Sequence, residues 1–212
     1  MEDSDWLNLL EIAKQLAQDY PDSIFIGGLA VFEHAKTLGS NMLESSHDID
    51  FYISMQGHMK LRDEHQVYRN ERLQKDSVLV NGQDLDAYVE HRHGLCVPYD
   101  QLAANSILID GMRIASLEHL LILKIDAARN RMGTGKGEKD MRDLARIVLL
   151  LDKPNMKLLR PYLNDDRAKL LKDLGQRGTI LIDAGFNQHE AAKVRRSFDQ
   201  NLAALRSDSR DR

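Results

Sequence analysis

Apolar residues recur at helical spacing from Trp6 through Leu9, Leu10, Ala13 and Leu16 to Ala17. That pattern predicts an amphipathic helix, capped by Asp3 or Ser4 and ended by Pro21. The period then changes. "SIFI", residues 23–26, is a short apolar run closing on Gly27-Gly28, which predicts a buried strand. "LAVFEHAKTL" returns to helical spacing with Gly39 just past its end, and the polar stretch 40–47 reads as a loop. "DIDFYIS" alternates and predicts a second strand, whereas "HMKLRDEHQVYRNERLQK" is densely charged and reads as a helix. Next, "VLV-NG-QDLDAYVE" sets Asn81-Gly82 between two β-prone runs, the signal of a hairpin with a type I′ turn. "ILI-DG-MRIA" repeats the hairpin pattern around Asp110-Gly111.

Beyond residue 115 only helical spacing remains. Ser116 caps "LEHLLILKIDAARNR", "MGTGKGE" breaks it, and "KDMRDLARIVLLL" follows and stops before Pro154. Two or three further helices complete the chain, the last opened by an Asn187/Glu190 capping box. The expected fold class is α+β: a small mixed β-sheet core with flanking helices over residues 1–115, and an all-helical part over 116–206. No Pro/Gly/Ser-rich linker separates them, so they are expected to pack together. Residues 207–212 are expected to be a disordered tail.

Composition changes this picture little. The 212 residues are 42% hydrophobic and 29% charged, ordinary values that supply a real core. The formal charge of −4 provides no general basic field for nucleic acid. The charge is uneven, however: from Lys153 onward there are 13 Lys+Arg against 8 Asp+Glu, so an acidic front precedes a basic back. The single cysteine, Cys96, excludes an internal disulfide and fits a cytoplasmic setting. The acidic start "MEDSDWLNLL" lacks the features of a signal peptide. No apolar run nears the roughly 18 residues that span a bilayer, so no membrane association is expected.

The candidate chemistry begins with an electrostatic oddity. Asp48 and Asp50 head a β-prone run and alternate onto one face, although strands disfavour aspartate and like charges repel. A hard divalent cation relieves such a pair, and Mg²⁺ is typically held by one or two carboxylates plus substrate phosphates. Gly27-Gly28 lies between a strand and a helix start, where backbone N–H groups and the helix dipole favour a phosphate. A third acid comes from "DLD". Asp86 sits between Leu85 and Ala87, deep in the apolar run, and Asp84 lies nearer the turn. Acids on neighbouring strands beside a glycine turn suit metal-assisted phosphoryl or nucleotidyl transfer.

Other signals carry less. "GTGKGEKD" lacks the G-x-x-x-x-G-K-[ST] pattern and a leading buried strand, so it reads as a helix–helix connector whose Lys136 and Lys139 could line a nucleotide pocket. His91 and His93 read as a solvent-facing strand end, Cys96 as a small buried residue, and Arg195 and Arg196 as a solvated helix face.

Taken in order, "IGG", "DIDFYI" and "LDAYV" resemble the DNA polymerase beta-type nucleotidyltransferase superfamily. Within it, "ASLEHLLILKIDAARNR…KGEKDMRDLARI" resembles the AbiEii-type toxin nucleotidyltransferases; the resemblance covers roughly residues 23–148. It implies a nucleotidyltransferase core in which Asp48, Asp50 and Asp86 ligate two Mg²⁺ ions, with Mn²⁺ as a substitute. It implies that Gly27, Gly28 and a loop serine, Ser45 or Ser46, meet the triphosphate of an NTP. Lys124 would reach the phosphates from its helix, with Lys139, Asp140 and Asp143 on the next helix completing nucleotide binding. The implied activity is transfer of NMP to a hydroxyl of RNA, tRNA in particular, or of a protein, by a toxin-type enzyme with a possible cognate antitoxin. A small-molecule, aminoglycoside-like acceptor is the alternative within enzymes, and a non-catalytic nucleotide- or partner-binding module the alternative outside them.

Overall fold

The computed structural model describes residues 4–37, 44, 46 and 48–207. It forms two compact units. One comprises the described residues up to Glu33 and from Glu44 to Ser116; the other takes residues 34–37 and everything described from Leu117 on.

The first unit is a mixed sheet with helices. Helix α1, Ser4–Asp19, buries Trp6, Leu9, Leu10, Ala13, Leu16 and Ala17, as its spacing demands. Strand β1, Ile24–Ile26, is buried throughout and passes directly into α2, Gly27–Thr37, which starts two residues earlier than expected; Gly39 lies outside the described residues. Strand β2 is Asp50–Ile53, and α3, Met55–Glu64, is capped by Ser54 Oγ, which accepts the N–H of Gly57. Three strands follow: β3, Gln66–Asn70, β4, Lys75–Val80, and β5, Gln83–Val89. A short helix α4, Tyr99–Asn105, precedes β6, Ile107–Ile109, and β7, Met112–Ile114. The strand order is β3-β4-β5-β2-β1-β7-β6. Pairings β2/β5 and β1/β7 are parallel, and the other four are antiparallel.

Both hairpin turns have the expected chemistry. Asn81-Gly82 and Asp110-Gly111 hold positive φ at both positions, the type I′ requirement that matches strand twist. The charged segment after Ser54 differs from expectation. Its helix ends at Glu64, and "QVYRN" is an edge strand paired with β4.

The second unit is all-helical: α5, Leu117–Asn130, α6, Gly135–Leu150, α7, Met156–Leu159, α8, Asp165–Gln176, α9, Ile180–Asp183, and α10, Gln188–Ser207. Helix α6 begins four residues before the expected Lys139, because Thr134 caps it by accepting the N–H of Gly137 at 3.1 Å. The Asn187/Glu190 capping box forms reciprocally, at 2.9 Å in both directions. Ser207 is still helical, and the rest of the expected tail, 208–212, lies outside the described residues. Among the described residues no helix is long and apolar enough to cross a membrane.

Candidate active site

The sheet register decides which acids meet. Strand β2 runs parallel to β5 with Asp50 opposite Asp86, Phe51 opposite Ala87 and Tyr52 opposite Tyr88. Because side chains alternate, Asp50 and Asp86 project from one face, while Phe51 and Ala87 enter the core on the other. Asp84 shares the face of Asp86 but sits opposite Leu79 on β4 and is exposed, one step nearer the turn. Asp48 is placed differently from expectation. It lies in a bend before β2 rather than in the strand, since the pairing reaches only to Ile49, whose carbonyl accepts the N–H of Asp86 at 2.8 Å. Ser46 donates its hydroxyl to Asp48 Oδ1 at 3.0 Å. Its neighbour Ser45 lies outside the described residues.

On the other flank of Asp50, β1 is antiparallel to β2 with Ile26 opposite Asp50. The next residue, Gly27, has φ +72°, and a Cβ built on it would stand 2.2 Å from Asp50 Oδ2. Glycine is required here twice over: for the left-handed backbone and for the space the carboxylate occupies. Gly28 is buried in the first turn of α2. The glycine pair therefore brings the start of an 11-residue helix, with its unpaired N–H groups, against an acid of the sheet.

The donor set Asp48, Asp50 and Asp86 is of hard carboxylate oxygens, which suits Mg²⁺ or Mn²⁺. Among the described residues, no three His, Cys, Asp or Glu side chains converge closely enough to cage an ion unaided. At Asp86 a protein cation is already in place. The Lys75 ammonium, from the first residue of β4, makes an ion pair with its Oδ2, both side chains being largely buried. The acids fit the ions in chemistry, and the third is occupied by a lysine that the sequence pattern did not single out. A diagonal cross-strand neighbour is within reach of a long side chain, so the signal becomes readable only once the β4/β5 register is known.

The remaining candidates lie in the helical unit. Lys124 on α5 is buried and donates to Asp143 Oδ2 at 2.6 Å and to Asp140 Oδ1 at 3.1 Å, both on α6. Arg131 Nε approaches Asp140 Oδ2 at 3.2 Å, and Arg146 donates to Asp143 Oδ1 at 3.0 Å. "KDMRD" thus brings both acids onto one buried helix face against one lysine. Lys139 is half-exposed on α6 and Lys136 is exposed.

The opposite face of the sheet carries a second charged cluster. Asp76, opposite Ala87, is fully buried. Arg92 Nη1 lies 3.0 Å from its Oδ2, His58 Nε2 2.9 Å from Oδ2, and His93 Nε2 3.7 Å from Oδ1. The imidazole approaches are close, though the His58 contact is poorly aligned for a hydrogen bond. His93 Nδ1 accepts the N–H of Val89 at 2.9 Å, so the expected solvent-facing pair is split: His91 is exposed and His93 is buried. Burial lowers the pKa of both His58 and His93, against the opposing pull of Asp76. Cys96 is half-buried rather than buried.

No protein-family model matches the chain, and no curated protein matches it in sequence. Solved structures do. A Megavirus polyadenylate synthase superposes with a TM-score of 0.50 at 19% identity, over 68% of this chain and 31% of its own. An antigenic nucleotidyltransferase-like protein from Paracoccidioides brasiliensis gives 0.49 at 16% identity, over 86% and 92%. JHP933 from Helicobacter pylori gives 0.49 at 17% identity, over 98% and 94%. This chain spans under a third of the length of the polyadenylate synthase. The likeness to the polyadenylate synthase is one of fold.

Proposed function

We propose that the chain is a Mg²⁺-dependent nucleotidyltransferase that moves NMP from an NTP to a hydroxyl acceptor. The observation that carries this is the register of Asp50 and Asp86 on one sheet face, with Gly27 closing the start of α2 against Asp50. Asp48, Asp50 and Asp86 would hold the two ions, which when bound supply Lewis acidity at the acceptor hydroxyl and at departing pyrophosphate. The chain's own residues position and neutralise charge. The Gly27-Gly28 turn offers backbone N–H groups to the triphosphate. Ser46 orients Asp48 through its hydrogen bond. The resemblance further implies nucleotide-binding roles for Lys124, Lys139, Asp140 and Asp143. Reactions of this class need little beyond placement and electrostatic stabilisation.

We take the acceptor to be RNA, tRNA first, or a protein, in a toxin-type enzyme paired with an antitoxin and working in the cytoplasm. The net charge of −4 favours a second reading, transfer to a small hydroxylated molecule, because long polyanions bind best to basic surfaces. One experiment separates them. The protein is incubated with each labelled triphosphate, Mg²⁺, total RNA and lysate, beside its Asp48→Ala and Asp50→Asn variants. Mg²⁺-dependent pyrophosphate release with label in RNA or protein is expected, and both variants should lose it. Label confined to small molecules overturns the toxin reading. Equal nucleotide binding by the protein and Asp48→Ala, with no pyrophosphate from either, identifies a non-catalytic binding module.

A further inference from the structure

Asp86 is paired with a lysine where the proposed reaction needs a divalent ion. Lys75 opens β4 immediately after the turn at residues 71–74, in which Gln74 takes φ +50° and Asn70 Oδ1 accepts the N–H of Leu73. That turn fixes where the strand starts, and the register follows: Ser77 stands opposite Asp86, and Lys75 lies two residues along on the same face. The Lys75 and Asp86 side chains are only 16% and 13% exposed, so water screens the pair weakly. Asp50 is the next acid along that face, directly across the β5/β2 pairing.

An ammonium and a dication compete for one carboxylate oxygen, because two positive charges at contact distance repel strongly in a partly buried site. Lysine is suited to give way. Its charge is compact, carried on a flexible four-carbon stem, and its donors adapt to any nearby anion. The phosphates of a nucleoside triphosphate are such anions. We propose that Lys75 is a gate on the third carboxylate: it holds Asp86 until nucleotide phosphates draw it off, so that ion binding at Asp86 depends on nucleotide. Resting on the nucleotidyltransferase reading, this makes Lys75 a positioning residue that couples ion and nucleotide binding. The coupling is reciprocal, each ligand raising the affinity for the other.

The test reads metal binding rather than turnover. Mn²⁺ is titrated by electron paramagnetic resonance into the full chain and its Lys75→Met, Lys75→Gln and Lys75→Arg variants, with and without a non-hydrolysable triphosphate. Without nucleotide, Lys75→Met and Lys75→Gln should bind Mn²⁺ about tenfold more tightly than the parent, or take up one more ion, since a nearby unit positive charge is gone. Lys75→Arg should behave as the parent. The triphosphate should tighten Mn²⁺ binding in the parent and much less in Lys75→Met. The glutamine variant carries the test if methionine disturbs folding, which circular dichroism reports. Identical Mn²⁺ binding in all four proteins overturns the gate and leaves the transferase reading standing. Absence of Mn²⁺ binding in all of them, with or without triphosphate, overturns both.

Discussion

At the scale of single residues, Gly27 and Asp50 make different demands on stability. Gly27→Ala forces a Cβ to within 2.2 Å of Asp50 Oδ2 and a left-handed φ onto alanine. Strain of that kind costs about 1–3 kcal/mol, and differential scanning calorimetry should show a fall of roughly 2–4 °C in Tm per kcal/mol for a chain of this size. The carboxylate must also move, so pyrophosphate release should drop by about 100-fold or more. Wild-type Tm and activity in Gly27→Ala would show that the close approach is not needed. Asp50→Asn should act differently. It keeps the side chain's size and leaves the Lys75–Asp86 ion pair in place, so Tm should hold while transfer is lost. A fall of several degrees would instead make the Asp50/Asp86 pair a structural device. The acids and the glycine pair were legible as residue types, because charge in a strand and glycine at a strand–helix junction are local anomalies. Lys75 was not, since its meaning depends on a partner reached only across a ladder.

At the scale of elements, helix α6 shows how far local pattern reaches. "KDMRD" places Asp140 and Asp143 on one helical face, and the structure spends both on Lys124 of α5. Removing Lys124 leaves Arg131 beside Asp140 and Arg146 beside Asp143. Lys124→Met should therefore cost only about 1–2 kcal/mol in chemical denaturation, less than a fully broken buried pair. Asp143→Ala withdraws a carboxylate shared by Lys124 and Arg146, and should cost about 3–5 kcal/mol. Equal costs for the two variants would contradict that sharing. What the pattern concealed has a physical reason too. Strand β3 is an edge strand with Gln66, Tyr68 and Arg69 exposed. Edges are kept charged to block aggregation, and a strand without a buried face has no alternation to distinguish it from a charged helix. The glycines of "MGTGKGE" read as a breaker, yet Gly135 and Gly137 lie inside α6, and position 137 needs glycine because a Cβ there would meet the Arg131 carbonyl oxygen at 2.2 Å.

For the whole molecule, the succession of β-prone runs followed by purely helical spacing was enough to announce an α+β sheet unit and an all-helical unit. Strand order was not readable, because parallel pairings such as β2/β5 join segments that no hairpin turn connects. Each unit also buries histidines, His58 and His93 in the first and His119 in the second, and this gives the protein a calculable response to acid. All three have pKa values lowered from 6.5, chiefly by burial. Asp76 opposes the shift at the first two, and Arg92 reinforces it. A histidine whose folded pKa lies below its unfolded value binds more protons when unfolded, between those two values. Stability therefore rises with pH through that window. It is fully present above about 6.5 and is lost progressively as pH falls below it. Tm measured between pH 7.5 and 5.5 should accordingly decline on the acid side of 6.5. His119→Phe should flatten the part of that slope belonging to the helical unit, and His58→Gln the part belonging to the sheet unit. A Tm that stays level or climbs as pH drops from 6.5 to 5.5 would mean that these imidazoles gain protons in the folded protein as easily as in the unfolded one.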